Sequence, residues 1–203
     1  KVDLRGKKVA IFGCGPIGLF SILVARALGA SIIIGIEPND SNRELAKMLG
    51  ADLVLPIKKE DKGASWEHDK KPTRTILEYT RAIGVDVALE MSGYNSSVNN
   101  AVSAVRRGGD VILFGIKSGD FTIEQFDRMI VRGVTLHSVI GRQIFKTWYV
   151  TKSLLEDQTN GIQDKLWRLM MKEGSDTVIP FAGFAPQEFE RRLLAHPKIV
   201  IQF

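Results

Sequence analysis

Cysteine is almost missing from this chain of 203 residues: Cys14 is the single one. One thiol cannot close an internal disulfide, and His68, His137 and His196 stand at no metal-ligand spacing, so neither a disulfide framework nor a cysteine-rich zinc site fits these residues. Long apolar runs are missing too. No stretch of about 18 apolar residues occurs, and the leading Lys1-Val2-Asp3-Leu4-Arg5-Gly6-Lys7 lacks the apolar centre of a signal peptide. The expectation is a soluble, cytoplasmic chain with no membrane partner. Charge of one sign is not concentrated either: 28 basic residues are interspersed with 23 acidic ones, leaving a net +5. Such a balance describes a solvated surface rather than a nucleic-acid footprint, so no nucleic-acid partner is expected. The densest basic stretch, Lys58 to Arg74, also carries Glu60, Asp61, Glu67 and Asp69, with Trp66 as its one aromatic neighbour, and reads as a polar surface insertion.

What the chain does contain is enough apolar content, 44%, to bury one substantial core. A repeated junction organises it: a helix-like segment ends at glycine and an apolar strand follows at once. The junction occurs at Gly29 before Ser31 to Glu37, at Gly50 before Asp52 to Leu55, and at Gly84 before Val85 to Glu90. It recurs at Gly108-Gly109 before Asp110 to Phe114, and at Gly133 before Val134 to Ile140. Glycine suits a helix terminus because the left-handed conformation there carries no Cβ penalty. With Lys8 to Phe12 at the front, six strands are predicted. Most are continuous apolar runs, as strands covered by helices on both faces of a parallel sheet must be. The fold class is therefore α/β, a doubly wound parallel six-stranded sheet with helices on both faces. After Ile140 the rhythm changes: Phe145 to Leu155, Lys165 to Lys172 and Pro186 to Leu194 read as helices, Val178 to Pro180 and Lys198 to Phe203 as extended segments. This gives a first domain over residues 1–155 and a tail over 156–203 that either packs on the sheet or leads to another domain.

The first strand runs into Gly13-Cys14-Gly15-Pro16-Ile17-Gly18 and then into a helix. In this fingerprint the first glycine permits the tight turn, the second lets backbone approach a pyrophosphate, and the third brings helix onto strand. Amides at the start of the helix then face the phosphates. Alone the pattern is weak evidence. Here it sits between a strand and a helix, with the acid Glu37 closing the second strand, which is the context of a Rossmann-type dinucleotide site. Glu37 is positioned to accept the adenosine ribose hydroxyls and to repel a 2′-phosphate, favouring NAD over NADP. Arg43 is either an adenine-stacking cation or an ordinary helix residue. Ser92 with Gly93, and Gly115, fall at strand ends where ligands collect or where turns are simply made. Cys14 has no identifiable base to activate it and reads as a small residue tolerated in a turn.

These residues resemble the zinc-dependent medium-chain dehydrogenases, and within them the threonine dehydrogenases. The resemblance runs through Gly13 to Gly18, Glu37-Pro38, Arg43 to Asp52, Val85 to Gly93, and Gly141-Arg142 with Lys146-Thr147-Trp148-Tyr149. It implies an oxidoreductase that oxidises a secondary alcohol, threonine-like or a polyol, to a ketone by hydride transfer to NAD. Cofactor contacts carried over by position are Ile17 in the phosphate loop, Glu37 at the ribose, Phe114, Gly115 and Ile116 beside the nicotinamide, and Val139 and Ile140 on the far wall. Where the family usually has arginine five residues after the ribose acid, this chain has Asn42, with Arg43 beside it. The resemblance places the catalytic zinc in a separate domain. No catalytic or metal residue is thus assigned here, and the segment is expected to bind cofactor without turnover. The start at Lys1 without a methionine fits a domain excised from a longer chain. Pairing of subunits through the strand Val134 to Ile140 is what the family would imply, giving a homo-oligomer acting on a small-molecule alcohol.

Two other classes share some of these features. A non-catalytic nucleotide sensor would keep the fold without a zinc domain. An S-adenosylmethionine methyltransferase also uses a glycine-rich first turn and an acid after the second strand, although the Pro-Ile-Gly ending argues against it.

Overall fold

The computed structural model describes residues 2–58, 69–117, 119–141 and 143–203. They fall into two compact units, Lys1–Arg142 and Gln143–Phe203. The first unit alternates strand and helix: β1 (Lys8–Phe12), α1 (Pro16–Ala27), β2 (Ile32–Ile36), α2 (Asp40–Leu49), β3 (Leu53–Leu55), α3 (Lys70–Tyr79), β4 (Val85–Glu90), α4 (Asn95–Ala104), β5 (Val105–Leu113), α5 (Phe126–Val131) and β6 (Thr135–Ser138). All strand pairs are parallel, and the order is β3-β2-β1-β4-β5-β6. The chain thus builds outward from β1 on one side, then returns to the centre and builds out on the other. The order reverses between β1 and β4, where a doubly wound sheet opens a crevice at the carboxyl ends of its strands.

Strand residues alternate between two cores. Ala10 and Phe12 of β1 and Ile34 and Ile36 of β2 pack with Ile76 of α3 and Val98, Ala101 and Val102 of α4. Ile11 faces the other way, toward Gly18 of α1. Both faces being covered explains why β1 and β2 are apolar at consecutive positions. Phe12, Ile11, Ile33 and Ile34 are among the largest fully buried side chains, each contributing about 1.5–3 kcal/mol through burial. Helix starts are set by short polar side chains: Asn39 accepts the Asn42 N–H at 3.1 Å ahead of α2, and Asp69 accepts the Lys71 N–H at 2.9 Å ahead of α3.

Two segments differ from the sequence expectation. Strand β5 begins at Val105, ahead of Gly108-Gly109, because α4 already ends at Ala104; the extra residues are taken up as a register shift between Val85 and Val87 of β4. The polar stretch taken as a surface insertion ends in helix α3, with Pro72, Thr73 and Ile76 buried, while residues 59–68 of it lie outside the described residues. Helix α4 has no clean apolar stripe, yet Asn95, Ser96, Ser97, Asn99 and Asn100 are all buried.

The second unit contains α6 (Lys146–Glu156), α7 (Ile162–Lys165) continuing into a π-helical turn over Leu166–Met170, the short parallel pair β7 (Val178–Pro180) and β8 (Val200–Gln202), and α8 (Pro186–Ala195). Its expected elements are present, with the Lys165 to Lys172 helix resolved into an α-turn and a π-turn. Among the described residues no helix is long and apolar enough to cross a membrane.

Candidate dinucleotide-binding site

The turn from β1 to α1 has the shape its glycines predict. Gly13 adopts φ +91°, and a Cβ there would stand 2.8 Å from the Cβ of Ser92. At Gly18 a Cβ would lie 1.9 Å from the Gly13 carbonyl oxygen, so only glycine lets α1 approach the turn this closely. Gly15 is different: nothing lies within 4 Å of where its Cβ would be. Its openness is toward the cleft, where a pyrophosphate needs bare backbone. Gly15 is also the N-cap of α1 and supplies no side-chain acceptor, with Pro16 in the first turn, so the first-turn amides keep their donors for an anion.

Glu37 follows β2 and is 6% exposed. Its Oε2 accepts the Cys14 N–H at 2.7 Å and its Oε1 accepts the Asn39 N–H at 3.0 Å. The carboxylate therefore ties the phosphate turn to the β2–α2 turn. A carboxylate offers about four acceptor directions, so two bonded amides leave it able to accept ribose hydroxyls. Cys14 lies beside it, fully buried; burial, together with the Glu37 charge, pushes its thiol up to about 12. A thiol so protonated is no nucleophile at neutral pH.

These turns enclose a cleft of about 880 Å³ lined on one side by Gly13, Gly15, Pro16 and Glu37 and on the other by Ser92. Five of the residues picked from sequence thus meet in one place. Missed by sequence reasoning were Asn39 to Ser41 from the β2–α2 turn, Ile57 and Lys58 after β3, and Tyr94, Ser96 and Ser97 from the β4–α4 turn. Their signal was positional: each lies just past the carboxyl end of a predicted strand.

The remaining picked residues lie elsewhere. Gly18 is buried under the turn, and Ile17 is half exposed on α1. Asn42 sits in the first turn of α2, its N–H held by Asn39. Arg43 is engaged inside its own turn, donating to the carbonyls of Glu37 at 3.0 Å and Pro38 at 2.6 Å and pairing with Asp40. Phe114, Gly115 and Ile116 follow β5, and Val139 and Ile140 follow β6; they share the carboxyl edge of the sheet with the cleft but do not line it. Ile116 and Ile140 are largely exposed.

Of the histidines, His137 pairs with Asp110 at 2.7 Å and His196 with Asp176 at 2.8 Å, while His68 lies outside the described residues. Among the described residues no group of three or more His, Cys, Asp or Glu side chains could hold a metal ion. The described residues do not fit a zinc site.

Comparison with known proteins agrees with this fold. The family model for zinc-binding dehydrogenase matches residues 16–157. An L-threonine 3-dehydrogenase from Pyrococcus horikoshii is 37% identical over 153 residues, 75% of this chain and 41% of that protein. One from Symbiobacterium thermophilum is 35% identical over 152 residues, 75% of this chain and 40% of that protein. The chain therefore spans about two fifths of the length of these relatives. Among solved structures, an alcohol dehydrogenase from Thermotoga maritima aligns with a TM-score of 0.77 at 21% identity, covering 99% of this chain and 52% of that one. The 2R,3R-butanediol dehydrogenase from Bacillus subtilis aligns at 0.72 and 24% identity, over 98% and 51%. At that identity the two structures speak for the fold. Because the family model covers most of the chain, from the first turn of α1 to just past α6, the chain belongs to the zinc-binding dehydrogenases of the medium-chain type.

Proposed function

We propose that these 203 residues are the NAD-binding part of an enzyme that oxidises a secondary alcohol to a ketone. One observation carries the cofactor reading: a buried carboxylate at the end of β2 and an uncapped, glycine-lined helix start face the same cleft at the switch in strand order. Gly15 and the first-turn amides of α1 would hold the pyrophosphate. Glu37 would accept the adenosine ribose and disfavour a 2′-phosphate. Asn42 and Arg43 serve the β2–α2 turn, Arg43 by fastening its carbonyls, so any contribution to adenosine binding is through the turn. Phe114 to Ile116 and Val139-Ile140 are assigned to the nicotinamide end. NAD, when bound, supplies the hydride acceptor; this chain binds and orients it.

Similarity to L-threonine 3-dehydrogenases supports a threonine-like alcohol as substrate, with a polyol as the neighbouring choice, and supports zinc in residues other than these. Profiling the whole enzyme on L-threonine against polyols tests the substrate: turnover of a polyol and not threonine discards the first choice. A thermal shift with NAD and with S-adenosylmethionine tests the cofactor class. Stabilisation by NAD alone is expected; stabilisation by S-adenosylmethionine alone would replace the dehydrogenase reading.

A further inference from the structure

Behind the cleft, two loops converge on one carboxylate that the cleft does not reach. Glu90 ends β4 between Phe12 of β1 and Leu113 of β5, and it is 0% exposed. Its Oε1 accepts the Ser92 N–H at 2.9 Å and also the Ser92 hydroxyl, which in turn accepts the Tyr94 N–H at 3.1 Å. Its Oε2 pairs with the ammonium of Lys117, in the segment after β5. The main-chain carbonyl of the same residue accepts the N–H groups of Phe114 and Gly115, both at 3.0 Å. The two loops touch directly as well: a Cβ on Gly115 would stand 2.4 Å from the Gly93 nitrogen.

A carboxylate withdrawn from water persists only when paired and hydrogen-bonded. Here that pairing joins Ser92 and Tyr94, which line the cleft, to the loop that follows β5. A dinucleotide laid across a sheet of this order with its adenosine ribose on Glu37 carries its second nucleoside toward the carboxyl ends of β4 and β5. We propose that Glu90 is a positioning residue which, through Ser92 and Lys117, fixes these two loops for the nicotinamide nucleoside. The adenosine half is held separately, by the Gly13–Gly18 turn and Glu37. The proposal rests on the cofactor reading above.

Calorimetric titration of the chain with NAD and with ADP-ribose, which lacks nicotinamide, tests it. Lys117→Met is expected to weaken NAD at least tenfold, toward the affinity for ADP-ribose, while ADP-ribose changes less than twofold. Lys117→Arg, which keeps the cation, restores most of the loss. Where Lys117→Met does not fold by circular dichroism, Glu90→Gln takes its place; it keeps an acceptor for Ser92 and removes the charge facing Lys117. Equal losses for both ligands, unchanged NAD binding in a folded variant, or an unsubstituted chain that binds the two ligands equally overturns the proposal. Unfolding of both variants also overturns it, since the pair is then a determinant of the fold. An unsubstituted chain that binds neither ligand removes the cofactor reading itself.

Discussion

Glu37 joins two tasks in one side chain. It accepts amides from Cys14 and Asn39, and its carboxylate borders the cleft. Glutamine cannot reproduce this, because one of its two ends donates, and that end must face an amide. Glu37→Gln is expected to weaken NAD about tenfold or more, the scale of one charge-assisted hydrogen bond of about 1.5–3 kcal/mol, and to narrow the preference for NAD over NADP; parallel titrations of both cofactors measure it. Cys14 makes a second residue-level prediction. With burial, assisted by the Glu37 charge, pushing its thiol up to about 12, a thiol reagent at pH 8 should modify the folded chain only as fast as it opens, and the denatured chain at once. Rapid modification of the native chain would refute the burial. That Glu37 and the loop glycines Gly13 and Gly15 meet at one cleft was legible because their chemistry is local in sequence. Arg43 was not: its guanidinium is occupied by the carbonyls of Glu37 and Pro38, contacts that depend on how the turn closes.

At the scale of elements, the glycine junctions placed β2, β3, β4 and β6, since helix termination and apolar runs are both local, whereas Gly108-Gly109 lies inside β5. Helix α4 escaped that logic. Its Asn-Ser-Ser-Val-Asn-Asn start looks exposed, yet it is buried, and distant groups satisfy part of it: Thr73 donates to the Asn100 side chain at 2.8 Å, and Asn99 exchanges bonds with Thr122 and Glu124 at 3.0 Å each. Hydrophobic periodicity has no means of seeing such partners. The packing of α1 on β1 yields a sharp expectation. Gly18→Ala would place a methyl against the Gly13 carbonyl, so the turn must move; a loss of about 3 kcal/mol or more in denaturant unfolding is expected, together with loss of cofactor binding. Where β4 meets β1 and β5, burial alone would raise the Asp86 carboxyl. The Arg106 hydrogen bond at 2.6 Å, with the Lys8 amide at 2.8 Å, outweighs this and holds it below the usual range. The folded-state value being the lower one, this stabilisation is full above the unfolded carboxyl pKa and disappears as pH falls through the folded value. Asp86→Asn should cost about 1 kcal/mol near neutrality, since Arg106 is partly exposed, and the difference from the parent should shrink on acidification.

For the whole molecule, the sequence pattern and the sheet order agree on a doubly wound domain, and the cleft lies wholly within the Lys1–Arg142 unit. The expectation from sequence set a boundary at residue 155; by compactness, α6 belongs with Gln143–Phe203. Helical periodicity marks where α6 is, but carries no information on which body it joins. The most direct test of the cofactor site is calorimetric titration of the chain with NAD and NADP. The prediction is saturable one-to-one binding of NAD, weaker binding of NADP, and amide protection on binding that is concentrated in the turns after β1, β2, β4, β5 and β6. A folded chain that takes up no NAD at millimolar concentration would contradict it.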